Sequence, residues 1–290
     1  MSYHAPAPSM PTSSSALNAI SALLEERTGQ QLAANRAWRI ETALKPLMRE
    51  RGLHSLDDLI AAMVVARTGE LADMVVDALL NQETSFFRDA AVLDLLADAV
   101  TDMRAEQPHR RLRIWSAGCS NGQEPLSLAM LLLERAGGAN ATIPEIVATD
   151  ISASALARAK AARYSQFEIQ RGLSVRRMIS WFEGTNGDWT ANSDLVNRIQ
   201  FRQQNLASDA PPPGKFDVVL CRNVMLYFTL DVRRQVFERL FEALRPGGLL
   251  VLGAGETVIG QTDRFVPSDR YRGFYHSIDE FAPKVVRVAG

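Results

Sequence analysis

Ile114-Trp115-Ser116-Ala117-Gly118-Cys119-Ser120-Asn121-Gly122-Gln123-Glu124-Pro125 is the stretch that decides the fold. Its apolar start reads as a strand, its small residues as a turn, and Leu126, Leu128, Ala129, Leu132 and Leu133 continue as a helix. Strand, glycine turn and helix in that order bring backbone close to a nucleotide-like ligand at the edge of a parallel sheet. Gly118 and Gly122 permit angles and approaches that side chains forbid, and Pro125 suits a first helical turn. The turn lacks the full G-x-G-x-x-G pattern, and no Lys-Ser/Thr pair follows it, so on its own it also fits a turn without a ligand.

Downstream, Ile146-Val147-Ala148-Thr149 reads as a second strand closed by Asp150. An acid at that place can accept from both hydroxyls of a ribose. Capping the next helix, which Ser152 could equally do, is the other role open to it. Phe216-Asp217-Val218-Val219-Leu220 is apolar after Asp217, as a buried parallel strand requires, and runs into Cys221-Arg222-Asn223-Val224-Met225-Leu226-Tyr227-Phe228. A helix through Val232, Val236, Phe237, Leu240, Phe241 and Leu244 follows, stopped by Arg245-Pro246-Gly247-Gly248. Leu249–Leu252 then reads as a strand and Arg272–His276 as a last, antiparallel edge strand.

Residues 163–204 break the alternation. Arg163–Gly172 reads as irregular or short helical, and Trp181-Phe182-Glu183 and Val196–Phe201 as strands. Between them Gly184-Thr185-Asn186-Gly187-Asp188 is a strong turn signal, which predicts an antiparallel ribbon inserted at about 176–204. Asn205-Leu206 ends its last strand. Gly118–Glu124, Asp150, Asn205-Leu206 and Arg222–Tyr227 thus fall at the carboxyl ends of strands, where open α/β sheets bind ligands.

Upstream, residues 1–15 are rich in Ser, Pro and Ala and read as a disordered tail. Residues 16–80 are helical in pattern, with a capping box at Ser55-Leu56-Asp57-Asp58, and predict a small all-helical domain of about four helices. Its second helix, roughly Gln31–Arg51, carries Arg36, Arg39, Lys45, Arg49 and Arg51 against Glu41 and Glu50. Arg36 and Arg39 share a face. That face is either a solvated surface or a dock for an acidic partner, and Pro46 is expected to kink or split the helix. Residues 81–89, Asn81-Gln82-Glu83-Thr84-Ser85-Phe86-Phe87-Arg88-Asp89, form a linker before the helix of residues 90–104.

The formal net charge of -1 argues against bulk binding of nucleic acid. Cys119 and Cys221 suggest neither a disulfide framework nor zinc spacing, so no metal is expected. No apolar run reaches membrane-spanning length and the first residues lack a signal-peptide pattern; the expectation is a cytoplasmic protein without membrane insertion.

Asn-Gln-Glu-Thr-Ser-Phe-Phe-Arg-Asp, Ser-Asn-Gly-Gln-Glu-Pro-Leu-Ser-Leu-Ala, Ala-Thr-Asp-Ile-Ser and Cys-Arg-Asn-Val-Met-Leu-Tyr-Phe occur in the order of one family. From about residue 17 to 280 the chain resembles the CheR-type chemotaxis receptor methyltransferases. The resemblance implies a Rossmann-like class I methyltransferase sheet over about 90–282, with the β insertion, preceded by an all-helical N-terminal domain that docks the receptor through Arg36 and Arg39. It implies transfer of a methyl group from S-adenosylmethionine to glutamates on chemoreceptor signalling helices, leaving S-adenosylhomocysteine; nothing in the sequence demands more than a monomer. The linker would then cross the cofactor cleft. Gln82, Thr84, Arg88, Gly118, Glu124, Asp150, Asn205, Leu206, Arg222 and Asn223 would hold the cofactor, and Arg88 and Tyr227 would serve the chemistry. Gln82 stands where the family pattern usually has Asn. Glu183–Asn192 is short for the loop that grips a receptor tether in some members, so no tether dependence is expected. A binder of S-adenosylmethionine without turnover and a methyltransferase for another protein are the competing readings.

Overall fold

The computed structural model describes residues 14–31, 37–66 and 69–278, in two compact units with the boundary between Asn81 and Gln82. Most of the tail, and Arg36, lie outside the described residues. In the first unit, α1 (Ser14–Thr28), α2 (Ala37–Glu50), α3 (Leu56–Ala66) and α4 (Glu70–Leu79) bury Ile20, Leu24, Leu44, Leu59 and Val75 between them. At the start of α3 the Ser55 hydroxyl accepts from Asp58 N and the Asp58 carboxylate from Ser55 N, the reciprocal pair that its sequence predicts.

Pro46 does not split α2, which runs on to Glu50. The carbonyl that its missing N–H would have met belongs to Thr42, and both residues are on the exposed side, where that carbonyl is open to solvent rather than stranded in a core.

The second unit is built on a seven-stranded sheet of order β6-β2-β1-β7-β8-β10-β9. These strands are β1 (Arg113–Ala117), β2 (Glu145–Asp150), β6 (Ile199–Gln203), β7 (Phe216–Cys221), β8 (Leu244–Leu252), β9 (Phe265–Pro267) and β10 (Phe274–Ser277). The first five in the order run parallel, and β10 is antiparallel to both neighbours. Side chains alternate between two cores: Ile114, Val218 and Leu220 enter one, and Trp115, Val219 and Cys221 the other. Helices α5 (Ala90–Glu106) and α6 (Gln123–Arg135) cover the first core, and α8 (Leu230–Ala243) covers the second through Val236, Phe237 and Leu240.

Three expectations need correction. Ile199–Gln203 is not part of the inserted ribbon; as β6 it pairs parallel with β2 at the sheet edge, because Ile199 belongs to the same core as Ile146. The ribbon instead joins β3 (Arg163–Ser165), β4 (Phe182–Thr185) and β5 (Asp188–Ala191), in the order β3-β5-β4. Its strand β3 hides in the stretch read as irregular, since three residues carry too little alternation to be seen. Finally, β10 is not the edge strand: β9 pairs outside it, and three residues ending in Pro267 give a weak strand signal.

Candidate active site

The strand order reverses between β1 and β7: the chain leaves β1 toward β2 and β6 on one side, and leaves β7 toward β8 on the other. Loops leaving the carboxyl ends of such a pair diverge and open a crevice. Here they are the Gly118–Gly122 turn and the Arg222–Phe228 segment, which approach closely: a Cβ at Gly118 would lie 2.5 Å from Val224 Cγ2.

The glycine turn is shaped from all sides. Gly118 N and Cys119 N donate to Thr149 O at 2.8 and 2.9 Å. Gly122 takes φ +88°, and a Cβ there would meet Ala159 Cβ at 2.8 Å, so the turn needs glycine for both angle and space. Ser120 holds φ 50° without being glycine. Its N–H donates to Asp150 Oδ2 (2.7 Å), and its hydroxyl donates to Gln82 Oε1 (2.9 Å) or to the Gln82 carbonyl (3.1 Å). The buried Tyr164 closes the underside, its hydroxyl donating to Asn121 O at 2.7 Å. Burial pushes the Tyr164 phenol well above its ordinary range, so it serves as a fixed donor.

Asp150 ends β2. Its Oδ1 accepts from Ser152 N at 2.9 Å, while the helix after it, α7 (Ala153–Ala161), is capped by the Ser152 hydroxyl, which accepts from Ala155 N at 3.0 Å. Capping therefore falls to Ser152. Beside Asp150, Gln204 N donates to Asp150 O, which sets the end of β6 level with it. Asn205 turns its side-chain oxygen back to Ala207 N (2.9 Å), and Leu206 is buried in the second core.

Arg222 forms the floor. Its side chain is 1% exposed; Nη1 donates to Glu124 Oε2 at 3.0 Å and Nη2 to Asp89 Oδ2 at 2.5 Å. Nη2 also donates to the Arg88 carbonyl at 3.1 Å. Glu124 is steadied further by the Ser116 hydroxyl at 2.8 Å. Two carboxylates thus face one guanidinium, leaving an excess of negative charge that suits a cationic ligand. The linker is bound into this unit through Arg88 O and Asp89, and through Phe87 N, which donates to Ser127 Oγ at 3.0 Å.

The remaining predicted residues sit as follows. Thr84 and Arg88 are half-buried on the linker, with Arg88 Nη1 reaching Glu83 O at 3.4 Å. Asn223 begins the loop after β7 at φ 60°, and the half-buried Tyr227 closes the short 3-10 turn Met225–Tyr227. Arg39 lies in the helical unit, donating to Asn81 Oδ1 at 3.0 Å. Sequence reasoning passed over Asp89, Ser120, Tyr164 and Glu256. Of these, only Ser120 and Asp89 carried a signal, as polar residues inside quoted motifs; Tyr164 and Glu256 arrive from distant segments. Cys119 and Cys221 are fully enclosed, and burial pushes both thiols well above the ordinary 9.0, so both stay protonated at neutral pH. Among the described residues no group of His, Cys, Asp and Glu could hold a metal, and no helix is long and apolar enough to cross a membrane.

A doubly wound sheet with a glycine turn, a strand-end acid and an anionic floor at its switch point defines a protein class: one that binds a nucleoside-containing cofactor at the carboxyl edge. Residues 82–273 match the family model described as the CheR methyltransferase, SAM binding domain. The chain is also similar to chemotaxis protein methyltransferase 1 of Pseudomonas aeruginosa, 38% identical over 83% of this chain and 90% of the relative. Against the chemotaxis protein methyltransferase of Vibrio anguillarum it is 39% identical, over 84% and 90% of the two chains. The chain belongs to the CheR methyltransferase family, and its cofactor is S-adenosylmethionine.

Proposed function

We propose that this chain methylates glutamate side chains on the cytoplasmic signalling helices of chemoreceptors, releasing S-adenosylhomocysteine. Support comes from curated relatives named for chemotaxis methylation. The observation that carries the reading is the anionic floor, with both Glu124 and Asp89 paired to Arg222, beside a glycine turn and Asp150. Bound S-adenosylmethionine supplies a methyl group already activated by a positively charged sulfur, and the residues present fit that charge.

In this proposal Gln82, Thr84 and Arg88 line the methionine end, Gly118 gives close approach, and Glu124 faces the amino group. Asp150 holds the ribose, Asn205 and Leu206 flank the adenine, and Asn223 closes the crevice. Arg222, its guanidinium turned to protein groups, acts through Glu124 and Asp89. A glutamate nucleophile has an ordinary pKa near about 4.3 and is ionised at neutral pH, so the chain need not supply a general base. Its task is alignment, which can contribute at most about 7–11 kcal/mol. Arg88 orients the incoming carboxylate and Tyr227 shapes the pocket around the transferred methyl. Arg36 and Arg39 of the helical unit steer the acidic receptor helices. The protein works in the cytoplasm as a monomer, and the tight Asn186-Gly187 turn between β4 and β5 supports a reading without tether dependence.

The test is incubation with methyl-labelled S-adenosylmethionine and chemoreceptor signalling fragments, scoring label released by mild base. Base-labile label on a fragment is the expected result. Cofactor binding without label on any fragment would contradict the proposal in favour of a regulator or another substrate. Replacing Arg36 and Arg39 by Glu is expected to lower labelling without weakening cofactor binding.

A further inference from the structure

Glu256 follows β8 in a turn closed by its own N–H, which donates to Gly253 O at 2.9 Å. Both carboxylate oxygens are turned onto backbone. Oε2 accepts from Asn223 N at 2.7 Å and from Gly253 N at 2.8 Å, and Oε1 accepts from Met225 N at 2.8 Å. One side chain thus ties the strand end of β8 to the first turn of the loop leaving β7. Bonds from N–H groups to an ionised carboxylate are about twice as strong as neutral ones.

The loop needs such a clamp. Asn223 is left-handed at φ 60°, Val224 sits at φ -114° and ψ -42°, and the 3-10 turn follows at once, with Tyr227 N donating to Val224 O. Gly253 makes room for it: a Cβ there would lie 2.6 Å from Asn223 Nδ2 and 2.8 Å from Glu256 Oε2. The same loop presses Val224 toward Gly118, so its placement is felt across the crevice.

We infer that Glu256 is a positioning residue for methyl transfer: by fixing the amides of Asn223 and Met225 it sets Tyr227 at the carboxyl end of the sheet. The inference rests on the proposed role of Tyr227. It requires a carboxylate in particular. A glutamine would offer one carbonyl oxygen, and its amide nitrogen would face at least one of the three N–H donors. Aspartate would keep the charge but fall one methylene short.

The experiment is Glu256→Gln in the full chain, read by hydrogen exchange, by kinetics on a receptor fragment, and in a Tyr227→Phe background. Exchange at Asn223 and Met225 is expected to quicken at least about tenfold while amides within β1 keep their rates. The kcat is expected to fall about 10- to 100-fold, more than the KM for S-adenosylmethionine changes. In the Tyr227→Phe background most of that fall should vanish, because the two residues act as a unit. If Glu256→Gln fails to fold, Glu256→Asp takes its place, with intermediate effects expected. Unchanged exchange overturns the inference, as does an equal fold-loss in both backgrounds. A wild-type chain without turnover on any fragment would instead refute glutamate methylation, and the exchange rates would still decide the clamp.

Discussion

The two ends of the sheet carry the same chemistry in opposite proportion. At the amino end Asp217, 4% exposed, meets two guanidiniums, Arg110 at 2.6 Å and Arg245 at 3.5 Å, and accepts from Arg113 N. At the carboxyl end one guanidinium, Arg222, meets two carboxylates. Backbone differs in parallel. At the amino end Gly214 and Gly247 supply the left-handed residues, whereas around the crevice Phe87, Asp89, Ser120 and Asn223 adopt that conformation alongside Gly118 and Gly122. Left-handed backbone costs roughly 1–2 kcal/mol for an ordinary residue, less for Asn and Asp. Four such residues around one crevice fit the clustering of strained backbone at functional sites. In the proposed reading the amino end is scaffold and the carboxyl end the working edge.

Removing each centre is the strongest way to break that contrast. Arg222→Met leaves Glu124 and Asp89 without their cation and is expected to cost about 3–5 kcal/mol in denaturant unfolding. It should also abolish measurable S-adenosylhomocysteine binding. Asp217→Ala strands the Arg113 amide and two partly buried arginines, for about 1–3 kcal/mol. Its folded fraction should bind S-adenosylhomocysteine as wild type does, and equal loss of affinity in both variants would erase the distinction.

Glycines sharpen it further. Gly118→Ala combines φ +77° with the Val224 contact and should weaken S-adenosylhomocysteine at least about tenfold in calorimetry. Gly247→Ala, at φ +74° with open space around its Cβ, should cost about 1 kcal/mol and leave affinity alone.

The smallest effect concerns acid. Hydrogen bonds from Arg113 hold the Glu145 carboxyl below its ordinary 4.5, against a smaller opposing effect of burial. A depressed carboxyl contributes stability above its unfolded value, and that contribution is lost as pH falls through the folded one. Glu145→Gln should therefore flatten the acid limb of a stability–pH profile below about pH 4.5 and leave S-adenosylhomocysteine affinity at pH 7 unchanged.

Much of the working edge was legible because its residues are contiguous. The β1 turn, Asp150 and the Arg222–Tyr227 run each announce themselves within a dozen residues, and long apolar strands such as Phe216–Cys221 leave little choice of place. What escaped was short or distant. Strands β3 and β9 have three residues each, too few for a period. Ile199–Gln203 reads as a strand, but only the shared core of Ile146 and Ile199 assigns it to the main sheet. Glu256 and Tyr164 gain meaning from partners in other segments, Asn223 and Asn121, which no local pattern reveals.

Calorimetric titration of S-adenosylhomocysteine into wild type and Asp150→Ala tests the working edge most directly. Loss of charged acceptors for ribose hydroxyls is worth about 1.5–3 kcal/mol, so affinity should fall about 10- to 100-fold while the chain stays folded. Equal affinity in the two proteins would contradict the assignment of the carboxyl end of β2 to the cofactor.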